Sequence, residues 1–95
     1  MAAYVIGDID VHDPAGYEPY KAASLAAITQ YGGRFLARGG ACQTLEGDWE
    51  PKRIVVIEFE SVDQARRWWD SPEYHAARQI RQAAARARFI VVEGA

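Results

Sequence analysis

The chain has 95 residues, 49% of them hydrophobic and 25% charged, which suits one globular domain over residues 1–95 and excludes an intrinsically disordered chain. With 11 Lys and Arg against 13 Asp and Glu, the net charge of −2 gives no reason to expect nucleic-acid binding. The only cysteine, Cys42, allows no internal disulfide, and we find neither a signal peptide nor an apolar run that could span a membrane, so we expect a cytoplasmic protein.

The first part of the chain predicts a strand followed by a helix. Residues 3–11 alternate in the way of a strand, and Asp13-Pro14 is typical of a helix start, because Asp accepts free N–H groups and Pro fits the first turn. Pro19 cannot donate a helical hydrogen bond, so we expect the regular helix to begin near Glu18. Its core candidates are Leu25 and Ile28. A neighbouring stripe at helical spacing contains Tyr17, Tyr20, Ser24, Ala27 and Tyr31.

Two further strands follow the helix. Gly32-Gly33 can end the helix through a left-handed cap. Residues 34–43 predict the second strand, in which Gly39-Gly40 indicates a bulge or a close backbone approach. A loop over residues 45–52 then leads to the third and most apolar strand, residues 54–60.

The second helix is predicted in two segments. Ser61 and Gln64 have the spacing of a capping box, and Ser71-Pro72 restarts the helix after a break. The first segment has the apolar positions Val62, Ala65, Trp68 and Trp69. The second has the packing positions Ala76, Ala77, Ile80, Ala83 and Ala84. Residues 88–93 form the last strand, so the element order is β-α-β-β-α-β.

That order predicts an α+β fold of ferredoxin-like type, with a four-stranded antiparallel sheet and both helices on one face. The first and third strands are apolar on both faces, so the face without helices would leave an apolar patch in water. We therefore expect a homodimer that pairs sheet to sheet about a two-fold axis. The residues assigned to the helix side are Val5, Ile9, Val55, Ile57 and Phe59. Those assigned to the partner side are Tyr4, Ile6, Ile54 and Val56.

Six runs spread over nearly the whole chain carry a resemblance to a known family. They are Asp13-Pro14-(x)2-Tyr17-(x)2-Tyr20, Tyr31-Gly32-Gly33-Arg34, Leu45-Glu46-Gly47-Asp48-Trp49, Ile57-Glu58-Phe59, Trp68-(x)2-Ser71-Pro72-Glu73-Tyr74 and Val92-Glu93-Gly94. Together they resemble the family catalogued as domain of unknown function 1330, within the dimeric α/β-barrel superfamily. The resemblance implies chains that pair as dimeric α/β barrels. It also implies relatives among cofactor-free monooxygenases, haem-degrading enzymes and isomerase-like proteins.

Charged residues on the strands are the first candidates for chemistry. Asp8, Arg38 and Glu58 lie where a strand face should be apolar, and burying such charges without a partner is costly. In a pocket, Arg38 could bind a carboxylate through two hydrogen bonds and Glu58 could act as a base. Alternatively, Arg38 forms a structural ion pair with Glu58 or Asp8, or these side chains are exposed at strand ends. We expect Arg38 and Glu58 to share one cavity with a tyrosine of the first helix.

The helices supply a second group of candidates, which could orient a small organic ligand or could simply pack in the core and at its rim. The ligand-binding candidates are Tyr17, Tyr20, Trp68, Ser71, Tyr74 and Arg81. Arg81 is included because the resemblance matches it to an arginine of the family, while a solvated basic face is the alternative. His75 is a candidate base, because histidine titrates near neutrality, although most lone histidines lie on the surface.

Neither the two histidines nor the single cysteine has metal-ligand spacing, so we expect no metal and no cofactor. Two functions are therefore open. The first is a cofactor-independent enzyme acting on a small organic or aromatic acid, which the resemblance makes monooxygenase- or isomerase-like. The second is a non-catalytic dimeric module that binds a small ligand or a protein partner. A closed pocket containing a carboxylate or histidine of strongly shifted pKa would favour the enzyme.

Overall fold

The computed structural model describes residues 1–95 and has the predicted α+β architecture. The strands are β1 (Ala3–Val11), β2 (Arg34–Arg38), β3 (Ile54–Phe59) and β4 (Ala85–Glu93). The helices are α1 (Pro14–Gln30), α2 (Val62–Trp69) and α3 (Pro72–Ala84). The strands form one antiparallel sheet in the order β2-β3-β1-β4, which is the order of a ferredoxin-like fold. None of the three helices combines the length and the hydropathy that a bilayer span requires.

The alternation of β1 and β3 separates the two faces of the sheet as predicted. The residues assigned to the helix side are all buried in the main core: Val5, Ile9, Val55, Ile57 and Phe59. The opposite face, called here the open face, consists of half-buried Tyr4, Ile6, Ile54 and Val56 together with exposed Ile90 and Val92. Ile6 lies opposite Val56 on one side and Ile90 on the other, so the apolar side chains of the open face are contiguous.

Helix α1 differs from its prediction in its start and in its buried side. It begins at Pro14, where the Asp13 side chain accepts the Gly16 N–H at 3.1 Å, and it continues through exposed Pro19. The expected start near Glu18 is therefore wrong. Buried tyrosines at positions 17 and 20 hold these first turns against the core, which outweighs the one hydrogen bond that proline removes.

Three of the residues predicted to lie in the core on the helices are exposed instead. Leu25 is 45% exposed, because α1 buries the neighbouring stripe that contains the two tyrosines, Ser24 and Ala27. In α3, Ala76 and Ala83 are exposed, whereas Ala77 and Ala84 are buried and Ile80 is half-buried. Both helices thus turn a slightly different stripe inward from the one that hydropathy favours.

Strand β2 is shorter than predicted and contains the irregularity that determines the site. Its pairing with β3 shifts between Phe35 and Ala37, so that Phe35 lies opposite Ile57 and Arg38 lies opposite Val55. The extra residue in β2 puts Phe35 and Arg38 on the same, helix-facing side, although they are three positions apart in the sequence. The expected bulge at Gly39-Gly40 therefore lies three residues earlier. The alternative expectation, a close backbone approach, does hold at Gly39, as described below.

Candidate functional site

The break between α2 and α3 positions two of the predicted site residues. The Ser71 hydroxyl accepts the Tyr74 N–H at 3.1 Å and donates to the Trp68 carbonyl at 2.7 Å, which joins the end of one helix to the start of the next. The rings of Trp68 and Tyr74 are consequently stacked at 4.2 Å, and both side chains are fully buried. Ser71, placed by sequence in a ligand site, is thus a buried capping residue.

The N-terminus of α2 forms only half of the predicted capping box. The Ser61 hydroxyl accepts the Gln64 N–H at 3.0 Å, as expected. The Gln64 side chain, however, donates to the Tyr31 carbonyl at 2.7 Å instead of returning to Ser61. Gln64 therefore ties α2 to the end of α1.

A pair of buried phenols connects α1 with α3. The Tyr20 and Tyr74 hydroxyls are 2.8 Å apart, and the ring of Tyr17 lies 5.2 Å from that of Tyr20. Burial raises the pKa of Tyr74 far above its usual range, and Tyr20 adds to this effect while Arg81 opposes it. Burial likewise raises the pKa of Tyr17. The phenols of Tyr17 and Tyr74 therefore stay neutral at physiological pH and can donate hydrogen bonds.

Arg81 is a buried cation without an acidic partner. Only 4% of the residue is exposed, and its guanidinium lies 4.7 Å from the centre of the Phe89 ring and 5.9 Å from that of Tyr20. The four ion pairs of the protein all involve other residues, and the Arg81 Nε has no hydrogen-bond acceptor. Aromatic faces and the Tyr74 hydroxyl, with no carboxylate, therefore compensate this charge, which is an incomplete compensation for a buried guanidinium.

Arg53 is a second unpaired cation, and sequence analysis did not identify it. Its Nε is buried without an acceptor, and its guanidinium lies 5.8 Å from the Tyr17 ring. The backbone of Gly39 lies directly against this guanidinium, so a Cβ at position 39 would overlap it, and Gly39 also has the positive φ of 72° that glycine tolerates best. The close backbone approach predicted at Gly39-Gly40 is therefore an approach of Gly39 to Arg53.

Arg38 completes the group of cations from the edge of the sheet. It is exposed, lies 4.4 Å over the Phe35 ring and donates to the Lys21 carbonyl at 2.7 Å. Between α1, β2 and β3 it closes what we call the polar cavity, whose other polar lining residues are Tyr17, Tyr20, Lys21, Ser24 and Arg53. The space open to water centres is about 10 Å³, which admits one water molecule at most. A larger ligand would therefore require lining side chains to move, and Arg38 is the exposed one among them.

The other predicted catalytic residues lie elsewhere. Glu58 is on the open face, where it accepts from Arg34 Nε at 2.7 Å, so the expectation that Arg38 and Glu58 share a cavity is wrong. The bulge turns Arg38 towards the helices, while strict alternation in β3 turns Glu58 away from them. His75 is exposed on α3 and lines none of the main cavities.

Asp8, the third charged strand residue, forms structural hydrogen bonds and an ion pair. Its carboxylate accepts from Trp49 Nε1 and from the Lys52 N–H, both at 3.0 Å, and from Arg88 at 3.4 Å. Burial raises the pKa of Asp8, but the three hydrogen bonds outweigh burial and leave it below the usual range. The predicted alternative of an ion pair between Arg38 and Glu58 or Asp8 is thus wrong, because these carboxylates pair with Arg34 and Arg88. The other alternative, exposure, holds for Arg38.

Trp68 belongs to a separate apolar cleft between α2 and β4. The cleft measures about 200 Å³, and seven of its eight lining residues are hydrophobic, among them Trp69 and Phe89. The predicted site residues are therefore divided. The polar cavity is lined by Tyr17, Tyr20 and Arg38, and the cleft is lined by Trp68. Tyr74 and Arg81 are buried between the two, where Tyr74 contacts Tyr20 and Arg81 contacts Phe89. No three His, Cys, Asp or Glu side chains are grouped in a way that could hold a metal ion.

These features define a ferredoxin-like α+β protein with a small cation-lined cavity between its sheet and its helices. The chain belongs to the family described as Domain of unknown function (DUF1330), whose model matches residues 2–95. None of the curated proteins compared with the chain matches it.

Solved structures share the fold at low sequence identity. A protein of unknown function from Rhodopseudomonas palustris has a TM-score of 0.76 at 20% identity, over 99% of this chain and 82% of that chain. SnoaB, a cofactor-independent oxygenase from Streptomyces nogalater, has a TM-score of 0.67 at 18% identity, over 99% and 93%. A dimeric ferredoxin-like protein of unknown function from Thermobifida fusca has a TM-score of 0.66 at 20% identity, over 99% and 92%.

Proposed function

We propose that the protein is a homodimer that binds a small organic acid in the polar cavity. The ligand class is inferred from one observation. The buried tyrosines between the sheet and the helices are surrounded by Arg38, Arg53 and Arg81, and none of these three arginines has a carboxylate within ion-pair distance. A buried or half-buried guanidinium without an anion is unfavourable, and a ligand carboxylate would supply the missing charge through charge-assisted hydrogen bonds. The neutral phenols would supply donors beside it.

Binding of benzoate tests the proposal. We expect benzoate to stabilise the wild-type protein against heat, and benzamide, which has the same shape but no charge, to do so much less. Arg53→Gln should remove the difference between the two compounds. Arg67→Gln, at an exposed position of α2, is the matched control and should leave it intact. Equal stabilisation of wild type and Arg53→Gln by benzoate would exclude the polar cavity as the binding site.

The open face supports the homodimer. Its six apolar side chains are contiguous and lack helix cover, and related chains of the same fold are described as dimeric. Light scattering should give twice the chain mass of 10.6 kDa. Val56→Lys, which puts a charge in the centre of the open face, should shift the protein towards monomer. A wild-type monomer at micromolar concentration would contradict the dimer.

Two functions fit a bound acid, and each has its own support. The likeness to SnoaB favours a cofactor-independent enzyme of oxygenase or isomerase type. The positions of Glu58 and His75 outside the polar cavity favour a non-catalytic binding module, because no carboxylate or histidine reaches the ligand. Oxygen uptake and product analysis, carried out with every acid that stabilises the protein, separate the two. Turnover that is lost in Arg53→Gln supports the enzyme, and binding without turnover supports the module.

A further inference from the structure

The loop between β2 and β3 has an exposed apolar tip and yet a fixed conformation. Leu45 is 96% exposed and Trp49 is 54% exposed, the former being the most exposed large hydrophobic residue of the chain. The Thr44 hydroxyl donates to the Trp49 carbonyl at 2.6 Å, and Trp49 Nε1 donates to Asp8 at 3.0 Å. Asp8 also accepts the Lys52 N–H at 3.0 Å, which holds the end of the loop against β1.

These contacts place the loop beside the open face. Loop and sheet together enclose a groove of about 700 Å³, with Ile6 and Ile90 as its apolar floor and Asp48, Trp49 and Lys52 among its walls. Arg88, whose side chain is 78% exposed, lies at the same end of the sheet. A single exposed leucine would be ordinary. An apolar loop tip and a groove with an apolar floor, both continuous with an uncovered sheet face, together indicate an interface.

We propose that residues 44–50 form an arm, and that the arm of each copy packs on a second copy of this chain with Leu45 in the partner's groove. The inference rests on the homodimer proposed above and extends its interface beyond the sheet. In a two-fold dimer one patch meets itself, so a protruding side chain and a receptive groove on the same patch complement each other across the axis. Glu46, beside Leu45, would face Lys52 and Arg88, the two cations of a groove whose lining also contains Asp8, Asp48 and Glu50.

The test compares two leucines in sedimentation-equilibrium measurements of the dimer dissociation constant. Leu45→Ser should raise this constant about tenfold or more, as expected for the loss of one buried leucine. Leu25→Ser is the matched control, because Leu25 is 45% exposed on α1, a helix on the other side of the sheet, and it should change the constant less than about threefold. Leu45 contacts no core residue, so its replacement should leave the urea unfolding of the isolated chain unchanged.

Each outcome has a distinct meaning. A wild-type dimer that Leu45→Ser weakens, and Leu25→Ser does not, supports the arm. A wild-type dimer with the same dissociation constant in both variants overturns the arm and leaves the proposed homodimer intact. A wild-type monomer overturns the homodimer and the arm with it. The benzoate experiment is independent of all three outcomes.

Discussion

Replacing Gly39 by alanine should displace Arg53 and weaken anion binding while changing stability only moderately. Gly39 has a φ of 72°, so alanine there should lower the free energy of unfolding by about 1–2 kcal/mol. The new Cβ would also overlap the Arg53 guanidinium. Because this group ends a flexible side chain, we expect it to move away without further unfolding. A displaced guanidinium loses a charge-assisted hydrogen bond to the ligand, about 1.5–3 kcal/mol, which raises the dissociation constant of benzoate at least about tenfold.

Alanine substitutions at two other glycines are controls that separate the effect of backbone strain from the effect of displacing Arg53. Gly32 has a similar φ of 79°, but nothing lies within 4 Å of a Cβ at that position, so Gly32→Ala should cost the same stability and leave benzoate binding unchanged. Gly40 has neither a positive φ nor a near neighbour, so Gly40→Ala should change neither quantity much. Urea unfolding and isothermal titration calorimetry with benzoate measure both quantities on all four proteins. Wild-type affinity in Gly39→Ala would refute the assignment of Arg53 to the anion site.

Three further predictions concern the broken helix. Trp68→Ala, at a fully buried side chain, should lower the free energy of unfolding by about 3–5 kcal/mol in urea titrations, and Trp69→Ala, at a half-buried one, by clearly less; equal losses would contradict the packing described. Ser71→Ala should cost about 1–2 kcal/mol by the same assay, and Ser71→Thr should recover most of this if the cap is the cause. Burial raises the pKa of Tyr74, so the unfolded chain ionises this phenol first, and the stability it contributes is full below about pH 10 and is lost as pH rises further. Tyr74→Phe should therefore make the alkaline fall in stability shallower than in wild type, and identical slopes would contradict this.

Local sequence signals were sufficient for most of the fold. The alternation in β1 and β3 identified both faces of the sheet, and the serine caps identified the break between α2 and α3, because these features depend on neighbours within one element. The buried side of α1 was misjudged because Tyr20 finds its hydrogen-bond partner, Tyr74, 54 residues away. Such a contact makes burial of tyrosine favourable, and no local pattern reports it.

The site was less predictable than the fold for a similar reason. The bulge in β2 lies at Leu36, where no glycine marks it, and a reading by strict alternation then misplaces every later residue of the strand. Arg53 was overlooked because it precedes β3 and its role depends on the fold bringing Gly39 beside it. Glu58 was overvalued because its partner, Arg34, lies on another strand at a register that the sequence does not reveal.

The extra residue in β2 also makes this strand tolerant of a change in its length. Phe35, Ala37 and Arg38 pair with the consecutive residues Ile57, Val56 and Val55, so deletion of Leu36 would make the pleat regular and leave Arg38 on the helix-facing side. A single-codon deletion at this point would therefore keep the cation in the cavity between sheet and helices. Among related chains, the length of this strand should vary by one residue without loss of anion binding, provided that the arginines are retained.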